Sequence, residues 1–105
     1  MNVVIIEDEI EHYEHLVMLL KEFLPEVKVL AWAKSVEEAK ITLLKHKPDI
    51  VLSDIELPDG ESFEVFSSLL NVNFPIIFTT AFDKFAIKAF KICAIDYLLK
   101  PIAAE

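Results

Sequence analysis

Five short apolar runs, each parted from the next by a stretch with helical spacing, leave this chain few folds to choose from. Val3 to Ile6, Val27 to Ala33, Ile50 to Leu52, Ile76 to Phe78 and Asp96 to Leu99 read as strands. After the first, Ile10, Tyr13, Leu16, Val17, Leu20, Phe23 and Leu24 recur at the spacing of an amphipathic helix that Pro25 closes. Ser35 and Glu38 stand at capping-box spacing ahead of a second helix, whose buried side is expected to hold Val36, Ala39, Ile41, Leu43 and Leu44. A third helix over Phe63 to Leu70 turns Phe63, Phe66, Leu69 and Leu70 inward, and Asp83 can cap a fourth with Phe85, Ala86, Ala89 and Phe90 on one face. This alternation argues for a parallel sheet covered by helices on both faces and joined by right-handed crossovers.

The chain has 105 residues, enough for one domain and one core. No apolar run approaches the roughly 20 residues of a membrane span, and the first residues enter a strand with no basic leader, so a cytoplasmic protein without membrane contact is expected. A single cysteine, Cys93, rules out a disulfide framework and a CxxC metal site and reads as a small core residue. The net charge of −8 repels nucleic-acid phosphates over most of the surface, so direct DNA binding by this unit is not expected. Ile102 to Glu105 is too short for a helix covering the last strand. The expected unit is therefore residues 1–105 with the final helix missing. The apolar strip so exposed predicts a homodimer or higher oligomer.

The stretch from Asp49 to Gly60 focuses the question of function. Its apolar run stops at Ser53-Asp54, and Pro58, Asp59 and the only glycine follow, so Asp54 stands at the carboxyl end of a central strand. Ligands of open parallel sheets bind at that edge. Glu7 and Asp8 follow the first strand, Thr80 the fourth and Lys100 the fifth, which brings them to the same edge. Singly, each has an ordinary reading: Asp8 as a helix cap, Asp54 as a brace for the Pro-Asp-Gly turn, Thr80 as a cap, Lys100 as a solvated lysine. Together, the carboxylates repel one another unless a cation sits among them, and hard oxygen donors with room for water suit Mg²⁺. A lysine and a hydroxyl alongside suit phosphoryl transfer, with Asp54 as the nucleophile that becomes an acyl phosphate.

With these residues in place, the chain resembles the receiver domain of two-component response regulators over its whole length. Glu7 and Asp8 match the family's acidic pair, Asp54 its phosphoacceptor, Thr80 its hydroxyl, Lys100 before Pro101 its lysine, and Tyr97 its switch aromatic. The segments Thr80 to Phe90 and Ala94 to Pro101 further resemble the branch with a LytTR-type DNA-binding output. The resemblance implies a flavodoxin-like five-stranded sheet of order 2-1-3-4-5. It implies that Asp54 takes phosphate from a sensor histidine kinase. Mg²⁺ would be held by Asp8, Asp54 and the backbone carbonyl of Glu56, with Glu7 acting through water. Thr80 and Lys100 would bind phosphoryl oxygens, and Thr80 with Tyr97 would move inward on phosphorylation, changing the surface of the fourth helix and fifth strand to control an output, transcription being the expected one. DNA would be reached only through an output domain absent from this chain.

Glu7 stands where aspartate is commoner in the family and reaches one methylene further, which is expected to shift the water shell around the metal. By the same resemblance, Glu56 and Phe82 occupy the two positions that in this family tend to influence how water reaches the acyl phosphate, and Phe82 is expected to shield it. Two other classes compete. A phosphorylation-independent pseudo-receiver, serving in binding or dimerisation, is opposed by the intact set Asp8, Asp54, Thr80 and Lys100. A haloacid-dehalogenase-like phosphatase is opposed by the place of Asp54-x-Glu56 after the third strand rather than the first. The domain is not expected to be a conventional enzyme, although it would assist its own phosphorylation and dephosphorylation. His12 and His15 read as a solvated helix face, His46 as a helix C-terminal residue, and Trp32 as packing at the end of the second strand.

Overall fold

The computed structural model describes residues 1–68, 74–80 and 96–99. Among these residues lie β1 (Asn2–Ile6), α1 (Ile10–Phe23), β2 (Lys28–Ala33), α2 (Val36–Lys45), β3 (Ile50–Asp54), β4 (Glu56–Leu57), β5 (Gly60–Glu61), α3 (Phe63–Ser68), β6 (Ile76–Thr80) and β7 (Asp96–Leu99). The long strands form one parallel sheet of order β2-β1-β3-β6-β7, the flavodoxin-like order with β6 and β7 as its fourth and fifth strands. The two-residue strands β4 and β5 make a separate antiparallel hairpin turned by Pro58-Asp59.

Alternation along each strand divides the apolar residues between two layers. Val4 and Ile6 of β1, Val51 of β3 and Ile76 and Phe78 of β6 face Val36, Ala39 and Leu43 of α2 and Phe63, Val65 and Phe66 of α3. Val3 and Ile5 face the other way, against Leu16 of α1, with Tyr13, Val17, Leu20, Ile50 and Leu52 packed around them. Helices thus pack on both faces of the sheet, α2 and α3 on one and α1 on the other.

Two helices bury a narrower stripe than composition suggests. In α2, Ile41 and Leu44 are exposed. At 100° per residue, Ile41 points roughly opposite to Val36, Ala39 and Leu43, and Leu44 about a quarter turn away. In α1, Leu16 is fully inside, whereas Ile10 in the first turn and Phe23 and Leu24 at the last are exposed. Leu69, Leu70, the fourth helix and Cys93 lie outside the described residues.

The start of α2 is held from a distance. Ser35 accepts the amide of Glu38 at 3.1 Å, and Glu38 Oε1 accepts the amide of Lys34 at 3.4 Å, a variant of the expected capping box. The remaining first-turn amides donate to Asp59 in the β4–β5 turn, Val36 to Oδ1 at 2.7 Å and Glu37 to Oδ2 at 3.2 Å. The Val36 amide holds the Asp59 carboxyl below its ordinary range. Because the folded value lies below the unfolded one, Asp59 contributes stability at neutral pH that is lost as pH falls through the carboxylate range. Asp59→Ala is expected to lower the thermal midpoint at pH 7. The gap to wild type should close as pH drops from about 5 towards 3. A gap independent of pH in thermal melts would remove the charge from this account. Gly60, which follows, has φ +145°, a conformation that L side chains rarely adopt, so the tight hairpin requires glycine there.

Candidate functional site

The β1–β2 ladder ends at Ile6 opposite Ala33, and the chain then turns into α1 through Glu7-Asp8-Glu9. Glu7 is only 1% exposed although it is an acid. Its amide donates to the Ala33 carbonyl at 2.9 Å, the Trp32 indole N–H donates to its carbonyl at 2.6 Å, and its Oε2 accepts the Glu9 amide at 3.2 Å. His12 Nδ1 lies 3.1 Å from Glu9 Oε2 and 3.8 Å from Glu7 Oε2, so His12 is tied to the acidic turn rather than merely solvated. Asp8 does not occupy the cap position of α1, which is Glu9 with no side-chain capping bond.

Asp54 ends β3 and is 8% exposed, buried but not sealed. Its Oδ1 accepts the amide of Ile55 at 2.7 Å, which fixes the rotation of the carboxylate. Asp59, further along the same loop, accepts the first-turn amides of α2 through the contacts above. Oxygens of Glu7, Asp8 and Asp54, one from each, lie within 4.8 Å of one another. Three carboxylates this close, two of them buried, repel strongly, and a hard divalent cation with some of its water suits the donor set and the spacing. Glu56 follows in β4 with its side chain exposed.

Thr80 is the last residue of β6, paired with Leu99 of β7, so its backbone lies at the same carboxyl edge. Tyr97 falls in β7 opposite Phe78. Lys100 and Phe82 are outside the described residues. Sequence reading passed over Thr79, which stands beside Asp54 in the β3–β6 register. Its hydroxyl is buried with no hydrogen-bond partner among the described residues. Trp32 and Asp59 were likewise missed as parts of this edge. The signal for Thr79 was available in the strand register, since a residue abreast of Asp54 in a neighbouring parallel strand shares its face.

Fold and site together define a flavodoxin-like parallel α/β domain with a carboxylate cluster at the carboxyl edge of its sheet. Residues 3–105 match the family model for the response regulator receiver domain. The chain belongs to that family. It is 40% identical over 107 residues to the "Sensory transduction protein LytT" of Bacillus anthracis, covering 100% of this chain and 43% of the relative. It is also 40% identical over 108 residues to the "Positive alginate biosynthesis regulatory protein" of Pseudomonas aeruginosa, again covering 100% of this chain and 43% of the relative. Among solved structures it resembles the response regulatory domain of protein mrkE from Klebsiella pneumoniae, with a TM-score of 0.89 at 25% identity, covering 99% of this chain and 86% of the other. The chain thus spans less than half the length of these curated relatives. The likeness to LytT relatives agrees with the expected LytTR-associated branch.

Proposed function

We propose that residues 1–105 act as a phosphoacceptor receiver in which Asp54 accepts a phosphoryl group from a sensor histidine kinase. The observation that carries this reading is the convergence of the Glu7, Asp8 and Asp54 carboxylates within 4.8 Å at the open edge of the sheet, with Asp54 still reachable from solvent. An oxygen of Asp54 attacks phosphorus, the P–N bond to the phosphohistidine breaks, and the leaving imidazole takes a proton. The Ile55 amide on Oδ1 orients the carboxylate for that approach. Asp8, Asp54 and the carbonyl of Glu56 would hold Mg²⁺, with Glu7 acting through water, and the bound ion would neutralise charge on the transferred group. Thr80 and Lys100 would bind the phosphoryl oxygens, and Thr80 with Tyr97 of β7 would form the switch that moves inward on phosphorylation.

The domain assists its own phosphorylation and dephosphorylation and is not a conventional enzyme. We place it in the cytoplasm; among the described residues no helix is long and apolar enough to cross a membrane. DNA is contacted only through a separate output domain. Self-association as a homodimer or higher oligomer is supported by the exposed Met18 and Phe23 on α1 and Leu24 at its C-cap, and light scattering measures it directly.

Incubation with acetyl phosphate and Mg²⁺ is expected to add one phosphoryl group by intact mass, and chelation of the metal to prevent it. Mass gain of equal extent in chelator, or none under any condition, contradicts the proposed chemistry.

A further inference from the structure

We infer that Trp32 is a positioning residue for the acidic pair, setting the affinity of the site for its divalent ion through one indole hydrogen bond. The inference rests on the receiver reading above. The carbonyl that Trp32 Nε1 binds at 2.6 Å belongs to the peptide unit joining Glu7 to Asp8. A peptide unit is planar, so fixing its carbonyl direction fixes the Cα atoms on both sides, and with them the origins of both acidic side chains. The β1–β2 ladder stops at Ile6 opposite Ala33, and the amide of Glu7 donates to the Ala33 carbonyl, so the Trp32 bond acts just past the last rung.

The indole is itself held. Tyr13 of α1 stacks on it with ring centroids 3.8 Å apart and an interplanar angle of 5°, and Lys34 Nζ stands over the ring 4.5 Å from its centroid. The ring therefore has little freedom to rotate, and its N–H is pre-aimed. Tyr13 also ties α1 to the end of β2, so the turn carrying Glu7 and Asp8, which runs from β1 into α1, is flanked by a fixed pair of rings. Groups of this kind, which orient the ligands of a metal without touching it, commonly govern its affinity by 10- to 100-fold.

Trp32→Phe removes the N–H and keeps a ring able to stack on Tyr13. Calorimetric titration with Mg²⁺ at a temperature where both proteins are folded is expected to show affinity about tenfold weaker in the variant. The concentration of Mg²⁺ giving half-maximal labelling by acetyl phosphate should rise in parallel. A merely structural role for Trp32 would lower the thermal midpoint in chelator and leave the dissociation constant where it was, and that outcome overturns the inference. A measurement on the unaltered protein guards against a variant that fails to fold. The indole N–H resonance should exchange slowly with solvent and move with the same Mg²⁺ dependence as the calorimetric binding; a fast-exchanging resonance indifferent to Mg²⁺ refutes the role. If the wild-type chain binds no Mg²⁺ at all, the receiver reading fails and takes this one with it. Wild-type binding with an unchanged variant rejects the Trp32 role alone.

Discussion

Asp54→Asn is expected to abolish phosphoryl transfer to the protein and, in the same variant, to make the magnesium-free domain more stable than wild type. The two effects have separate causes. Asparagine keeps the volume of aspartate and an oxygen able to accept the Ile55 amide, so the local geometry of 2.7 Å has no reason to change. What is lost is the nucleophilic oxygen, and with it the acyl phosphate. What is also lost is one of three charges lying within 4.8 Å of one another. At an effective dielectric of about 20, a like-charge pair at that distance repels by about 3 kcal/mol. After solvent relaxation, a net gain of roughly 1–3 kcal/mol is expected from removing Asp54 from the cluster. Urea unfolding in chelator measures it. With Mg²⁺ at ten times its dissociation constant, wild type gains about 1.4 kcal/mol by linkage, and the variant should gain far less at the same concentration. A variant less stable than wild type in chelator would show that the three carboxylates are not in conflict, and continued labelling would place the acceptor elsewhere.

An acid that is strained as a structural group and, on the proposed reading, required as a chemical one is what made the site visible in sequence. Acids do not end buried strands for packing reasons, so Glu7, Asp8 and Asp54 stood out, and the alternation of apolar runs fixed where the sheet edge lay. The strands were legible for the same reason: a four-residue apolar run such as Val3 to Ile6 has no other stable destination in a chain this short. Helix faces were less so. Ile41 and Leu44 were expected inside because they are apolar, and their angular positions around α2 put them outside.

Asp59 illustrates a different limit. Its carboxylate closes the N-terminus of a helix that begins 23 residues earlier, and no local pattern encodes a cap supplied from another loop. Trp32 was read as packing, which the Tyr13 stack bears out, but the direction of its N–H depends on how β1 and α1 are brought together in space. Thr79 was overshadowed by its neighbour Thr80, since only the strand register shows which residue stands abreast of Asp54.

The largest loss of stability is expected from Phe78→Ala. Phe78 sits in β6 with no exposed surface, and its ring meets those of Phe63 at 5.1 Å and Phe66 at 5.7 Å in edge-to-face geometry. Both partners come from α3, so this one side chain couples the helix to the sheet. Truncation removes the transfer energy of the ring and leaves a cavity between rigid elements, at a cost of about 3–5 kcal/mol. Against a total stability of roughly 5–15 kcal/mol for a domain of this size, that brings the variant close to unfolding and should lower the thermal midpoint by on the order of 15 °C or more. Phe78→Leu, which refills most of the volume, should cost no more than about 1.5 kcal/mol. The carboxylate cluster gives the control. Thr79, next in the strand, turns to the Asp54 face while Phe78 turns away from it, so the two sides of β6 carry separate duties. Below its melting range, Phe78→Ala should therefore bind Mg²⁺ with nearly the wild-type dissociation constant. A tenfold loss of affinity in the folded variant would mean that packing under α3, and not the braced turn after β1, determines the shape of the acidic edge.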